Sequence, residues 1–140
     1  MNILKVKTEK RKLGNFGERA ACRYLFFHGY RILFTNYVSS VGEIDIIATR
    51  AGVISFIEVK TRTVSDDGTA NPRPAASVTA EKQRKIIRSS IEFMEENCVK
   101  EKRRSFDVIE VYADHGRLLP RVKQIKHIMS AFDKSAFKKR

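Results

Sequence analysis

The chain has 140 residues, of which 42% are apolar, and its 28 Lys and Arg outnumber 16 Asp and Glu to give a net charge of +12. That length suits one domain with an ordinary core, and no apolar run is long enough to span a bilayer. The opening "MNILKVKTEKRK" lacks the apolar stretch of a secretory signal, so the expectation is one cytoplasmic domain over 1–140, its core at about 12–132 between basic ends.

The first predicted element is a helix. "LGNFGERAACRYLFFHGY" puts apolar residues at 13, 16, 20, 24 and 27, with Asn15 as N-cap and Gly29 as stop. Tyr24 and Phe27 read as core rather than base-stacking platforms. Cys22 lies here and Cys98 lies 76 positions on, neither a metal spacing nor a disulfide framework, so both read as small core residues. Glu18 has two readings. Three residues after Asn15 it fits a capping box, and beside Gly14, Ala21 and Leu25 it points toward a sheet.

"RILFTNYV" reads as a strand, followed by strands at 43–49 and 53–62 joined by a tight turn at Ala51–Gly52. Side chains alternate along strands. Glu43 and Asp45 therefore share a face, as do Glu58, Lys60 and Arg62. With Ala51 and Gly52 at the tip, paired positions sum to 103, so Asp45 opposes Glu58 and Glu43 opposes Lys60. Opposed carboxylates repel. They either splay into water or share a hard cation held by oxygens. Ile44, Ile46, Ile47, Phe56, Ile57 and Val59 make both strands apolar on both faces, which marks a buried hairpin and favours the cation.

A polar loop over 65–76 leads to a second helix from about Ser77 to Asn97, with a stripe at 83, 87, 91 and 94. "SFDVIEVYA" is a fourth strand, "DHG" turns into a fifth around 117–125, and "HIMSAF" reads as a short closing helix. The order is α-β-β-β-α-β-β, an antiparallel meander with helices packed on it, hence α/β or α+β. Asp107 alternates with apolar neighbours and reads as a structural hydrogen-bonding residue. His28, His115 and His127 are scattered and read as surface or helix-end residues.

The charge is clustered. Residues 5–23 carry seven basic and two acidic side chains, Lys82, Arg84, Lys85 and Arg88 share one helix, and the end is "KSAFKKR". Solubility or an anionic membrane surface would also use such an excess. Nucleic acid is the commoner partner of a small basic domain, because phosphates reward clustered cations through counterion release. Lys82 and Gln83 open the second helix, where a phosphate is favoured, and Arg62 shares the face of Lys60. The expected nucleic-acid contacts are thus Arg62, Lys82, Gln83, Arg84 and Lys85, against the plainer reading of a solvated helix face.

Together these residues resemble a known superfamily. "EID", a turn and "EVK", preceded by a helix glutamate, are similar to the PD-(D/E)xK restriction-endonuclease-like nucleases, and within them to archaeal Holliday-junction resolvases. "GNFGERAACRYL", "NYVSSVGEIDIIA", "FIEVKTR", an early lysine in the second helix, "SFDVIEV" and "HIMSAF" resemble the bacterial YraN family over roughly residues 12–132. The resemblance implies a three-layer fold with a mixed sheet flanked by helices, and Mg²⁺- or Mn²⁺-dependent cleavage of DNA, branched DNA included. It implies Asp45 and Glu58 as metal ligands, Lys60 as the catalytic lysine, and Glu18 as the helix glutamate beside a metal. Ile44 stands where the superfamily has proline. Glu43 belongs to the YraN pattern, where it tunes the metal or pairs with Lys60. The alternative is a non-catalytic DNA-binding module of the same fold. The oligomeric state stays open, a homodimer included.

Overall fold

The computed structural model describes residues 3–64, 78–99, 103–114 and 119–133, with side chains from residue 14 onward in the first segment. The expected loop over 65–76, the start of the expected fifth strand, His115 and the basic C-terminal end lie outside them. In chain order the elements are α1 (Ile3–Phe27), β1 (Arg31–Val38), β2 (Glu43–Arg50), β3 (Val53–Thr63), α2 (Ala80–Asn97), β4 (Arg103–Asp114) and β5 (Arg121–Phe132). The five strands form one sheet in the order β1-β2-β3-β4-β5. All neighbours are antiparallel except β3 and β4, which are parallel. The sheet is therefore mixed rather than an antiparallel meander throughout. The reason is α2, which carries the chain back so that β4 starts beside the start of β3.

The β2–β3 hairpin follows the expected register. Ala51 (φ 52°) and Gly52 (φ 76°) are both left-handed, the pair of conformations a two-residue hairpin of matching twist requires. Pairs from Arg50↔Val53 to Ile46↔Ile57 keep the sum of 103. Adjacent residues of β3 face opposite ways, and they enter two separate cores. Phe56 packs with Ile87 and Phe93 of α2, whereas Ile57 packs with Ala21 and Leu25 of α1. The two helices thus cover opposite faces, and β3 is buried on both. Tyr37 ties β1 to α2 by donating its hydroxyl to Glu96 Oε2 at 2.8 Å, and burial raises that hydroxyl's pKa to about 12. No helix of the described residues is long and apolar enough to cross a membrane.

Four expectations fail here for physical reasons. α1 begins at Ile3, so Asn15 lies inside it and caps nothing. The basic run before Gly14 contains good helix formers and no breaker, which lets the helix extend. α2 begins at Ala80 behind Thr79, whose hydroxyl accepts from Lys82 N at 3.2 Å. Cys98 is exposed and forms the left-handed C-cap of α2 (φ 47°), so it is no core residue. "HIMSAF" lies in β5, paired to β4 from Asp114↔Arg121 to Phe106↔Phe132. Its apolar spacing fits either state, and the long free edge of β4 decides for a strand.

The buried face of α1 is also rotated from the expected stripe. Gly17, Ala20, Ala21 and Leu25 face the sheet, while Phe27 is 79% exposed. Small residues let the helix axis approach closely. A Cβ added at Gly17 would fall on the Thr61 side chain, only 3.1 Å from Thr61 Cβ. Gly17→Ala should push α1 off β3 and destabilise the protein by about 1–3 kcal/mol. Urea unfolding checks this, and Thr61→Gly should restore most of the loss. A neutral Gly17→Ala would show that the contact is slack.

Candidate active site

Residues i and i+2 of a strand normally share a face. In β2 they do not at one point. Ile44 packs in the α2 core and Ile46 in the α1 core, so the pleat turns over at Asp45. The ladder to β3 has its last pair at Ile46↔Ile57. On the other side of β2, between the pairs Thr35↔Ile46 and Tyr37↔Ile44, Asn36 adopts φ 52°. Asn tolerates the left-handed region better than most residues. β2 and β3 thus part at the end remote from their turn. Asp45 uses the gap to accept a backbone hydrogen bond from Val59 N at 2.8 Å. Asp45 and Glu58 consequently sit near each other beyond the ladder rather than as a ladder pair, and Glu43 and Lys60 do not pair in it either.

Four more expected residues join Asp45 at this opening. Glu58 is 5% exposed and projects to the α2 side, opposite Ile57. Lys60 Nζ lies 3.6 Å from its Oε1. Lys82, placed by the Thr79 cap in the first turn of α2, makes the closest ion pair with the same oxygen. Glu18 approaches from α1, one residue after the glycine that lets that helix close in. Glu43 is exposed at the start of β2. The side-chain amide of Asn36 lies between the two; oriented with its nitrogen toward them, as two carboxylate acceptors require, it donates to Glu18 Oε2 at 3.1 Å and to Glu43 Oε1 at 3.3 Å. Asn36 escaped the sequence reading because its role depends on a backbone conformation that composition does not announce.

The electrostatics record the crowding. Burial, then the charge of Glu58, raises the Asp45 carboxyl to about 7 despite the Val59 hydrogen bond. Glu18 is raised too, first by burial and then by Glu43 and Glu58, with the Asn36 contact opposing. Lys60 is lowered, first by burial and next by the charge of Lys82. Burial would also lower Lys82, but its contact with Glu58 and the charges of Glu58 and Asp45 outweigh this and raise it. An acid made reluctant to ionise and a lysine made readier to lose its proton, side by side, are a pattern of reactive sites.

Among the described residues no three His, Cys, Asp or Glu side chains form a ready metal cage. The donor set still suits one class of ion. Asp45 and Glu58 offer two hard carboxylates, and Mg²⁺ commonly takes one or two of these and fills its remaining positions with water and substrate oxygens.

Beside this group Arg62 Nε lies 3.6 Å from Glu110 Oε2, and Glu110 Oε1 accepts from the Tyr112 hydroxyl at 3.1 Å. Glu110 is 2% exposed and holds Arg62 on the face of Glu58 and Lys60. Only its place inside "DVIEV" on a buried strand hinted at this. The other expected nucleic-acid contacts scatter. Gln83 Nε2 donates to Val78 O at 2.9 Å, Lys85 pairs loosely with the exposed Glu81, and Arg84 follows on the same turn of α2. Asp107 is structural, as expected. It accepts from the Ser105 hydroxyl, from Ser130 N at 3.0 Å and meets His127 Nε2 at 2.8 Å. His28 ends α1 as expected, with Nδ1 on Tyr24 O, but His127 is buried rather than on the surface.

The family model described as uncharacterised protein family UPF0102 matches residues 17–111. Among similar curated proteins, a UPF0102 protein of Caldanaerobacter subterraneus subsp. tengcongensis is 36% identical over 126 residues, covering 90% of this chain and 98% of its own. One from Clostridioides difficile is 42% identical over 119 residues, covering 85% and 95%. One from Alkaliphilus oremlandii is 40% identical over 124 residues, covering 87% and 98%. The matched span runs from the close-packing glycine of α1 through both hairpin carboxylates to Val111 of β4, and the chain belongs to the YraN-like UPF0102 family.

Proposed function

We propose that the protein is a Mg²⁺- or Mn²⁺-dependent phosphodiester hydrolase acting on DNA, with a restriction-endonuclease-like fold of the PD-(D/E)xK type. One observation carries this reading: Asp45, Glu58 and Lys60 converge where the pleat of β2 turns over. The five-stranded mixed sheet with a helix on each face supports the fold assignment.

Asp45 and Glu58 would hold the ion, with Glu18 at the margin on a second ion or a water. The ion supplies Lewis-acid polarisation of a phosphate and of a water molecule. The remaining chemistry belongs to the chain. Lys60 places a point charge, or a proton donor, against the non-bridging oxygens as negative charge builds on them. Its lowered pKa lets it surrender that proton more easily than a solvated lysine. Arg62, steadied by Glu110, meets the backbone of the nucleic acid on the same face. Ile44 is buried beside Asp45 and Glu58 is itself 5% exposed, which limits bulk water there and strengthens each charge. A second reading, a DNA-binding module without catalysis, is favoured by one contact. Lys82 already neutralises Glu58, which is the task a metal would perform.

The test is a cleavage panel with Mg²⁺ or Mn²⁺ on linear duplex, single strand, flap and four-way junction. Metal-dependent cleavage of any of them that is lost in Lys60→Ala supports the hydrolase. Tight binding without cleavage of any supports the module. Both readings expect sequence-tolerant affinity falling at least about tenfold between roughly 50 and 200 mM salt, because counterion release drives it. Affinity indifferent to salt in a titration series would remove nucleic acid as the partner.

A further inference from the structure

A second site lies at the other end of the sheet, on the other face. A cavity of about 290 Å³ opens beside the β2–β3 turn, lined by Arg50, Arg103 and Arg104, by the hydroxyls of Ser55, Ser105 and Ser130, and by Tyr30 and Met129. Ser55 and Ser105 are register partners in β3 and β4. By alternation with Ile57 and Ile109 they face the α1 side, opposite to Glu58. Five residue steps along β3 separate Val53 from Glu58, about 16 Å of strand. A single phosphate group cannot touch both places.

The pocket is cationic for a structural reason. Among the described lining residues the one acid is Asp107, which is 1% exposed and hydrogen-bonded to Ser105, His127 and Ser130; it makes no ion pair with the arginines, which outnumber it. Arg50 is held in place. Its Nη1 donates to His28 O at 3.0 Å, and its guanidinium lies 4.2 Å over the Tyr30 ring. Arg103 and Arg104 are exposed at the start of β4 and make no ion pair among the described residues. Arg50 and Arg103 share the α1 side with Ser55 and Ser105, whereas Arg104, the register partner of Ile54, borders the cavity but alternates to the α2 side. Two guanidiniums with hydroxyl donors beside them suit a dianion bound through several hydrogen bonds. The volume, at the lower end for ligand pockets, leaves room beyond a phosphate for about one ring system, against Tyr30 and Met129.

We propose that this pocket binds a phosphate monoester carried on a mononucleotide-sized group, independently of the carboxylate site. The phosphate comes either from a free mononucleotide or from the 5′ end of a strand. Calorimetry on the full chain with AMP, adenosine and inorganic phosphate tests the chemistry. AMP should bind one to one, with adenosine and inorganic phosphate at least about tenfold weaker, since the charge and the ring each contribute. The double change Arg103→Ala with Arg104→Ala should weaken AMP at least about tenfold without lowering the melting temperature. Arg121→Ala with Lys123→Ala removes the same charge elsewhere and should have little effect. A 5′-phosphorylated oligonucleotide that displaces AMP where its 5′-hydroxyl counterpart does not assigns the phosphate to a strand end, and displacement by neither assigns it to a free nucleotide. Adenosine or inorganic phosphate binding as tightly as AMP, no AMP binding at millimolar concentration, or equal losses in the two double variants would overturn the proposal. Asp45→Asn should leave AMP binding unchanged, so failure here is separable from failure of the hydrolase reading.

Discussion

Asp45→Asn should raise the stability of the metal-free protein while abolishing both its stabilisation by Mn²⁺ and its cleavage of DNA. The native fold holds Asp45 close enough to Glu58 for that charge to be, after burial, the main reason its carboxyl is raised to about 7. Asn is nearly isosteric and keeps an oxygen for the Val59 N–H, so the backbone contact survives while the repulsion goes. A gain of about 1 kcal/mol, or roughly 3 °C in Tm, is expected. Wild-type protein should gain about 2–3 kcal/mol when the metal exceeds its Kd a hundredfold, because the ion binds the native state alone. The variant should gain almost none, and its DNA affinity should persist through the basic surface. Thermal melts with and without Mn²⁺ beside cleavage assays check each part. If Asp45→Asn unfolds the metal-free protein, the carboxylate is a structural acceptor and the hydrolase reading loses its main support.

The same residue gives stability a pH dependence of definite sign. Its pKa rises from an ordinary 3.8 to about 7 in the fold. Between those values the native protein binds more protons than the unfolded chain, so this group's contribution is largest at low pH and is lost as pH rises from about 4 to 7. Urea unfolding of metal-free protein at pH 5 and pH 8 should show a decline that Asp45→Asn reduces by about 1–3 kcal/mol. Equal declines in both proteins would show that Asp45 ionises normally in the fold.

The site was legible in the sequence to the extent that it is local. The Ala51–Gly52 turn fixes the β2–β3 register from Arg50↔Val53 to Ile46↔Ile57, and the next residues of the two strands are Asp45 and Glu58, which that register leaves near each other beyond the ladder. What the sequence did not announce depends on partners distant in the chain. The reversal of the pleat at Asp45 is matched by a left-handed Asn36 on a different strand. Glu110 takes its place from the parallel pairing of β4 with β3, which exists only because α2 returns the chain. Asp107 and His127 meet across β4 and β5, so a histidine that looks like a surface residue alone is buried once paired. A fifth strand around 117–125 was legible, but its continuation through "HIMSAF" was obscured because an apolar pattern of six residues satisfies helix and strand periods alike, and the exposed edge of β4 settles it. Phe27 projects past the sheet because small residues, not large ones, set how close α1 lies.

Lys82 tests how this opening stays folded when no metal is bound. Glu58 is 5% exposed, and a carboxylate that buried needs a cation. Lys60 stands 3.6 Å away, and its ammonium is disfavoured by burial and by Lys82. Lys82 makes the tighter contact and is itself raised, so it serves as the resident counter-ion. A lysine raised in the fold contributes stability that is present at neutral pH and lost only as pH rises above the ordinary lysine range. Lys82→Ala should therefore cost about 2 kcal/mol at neutral pH, in the range for a charged hydrogen bond to a buried partner. Lys85→Ala, which breaks only the exposed pair with Glu81, should cost less than about 0.5 kcal/mol. If the ammonium and a divalent ion compete for Glu58, removing the ammonium should also tighten Mn²⁺ binding, and saturating Mn²⁺ should recover most of the lost stability. Urea unfolding and Mn²⁺ titration of both variants measure the exchange directly. Unchanged Mn²⁺ affinity in a destabilised Lys82→Ala would mean that the two cations do not share Glu58, and the ion would then have to be held without it.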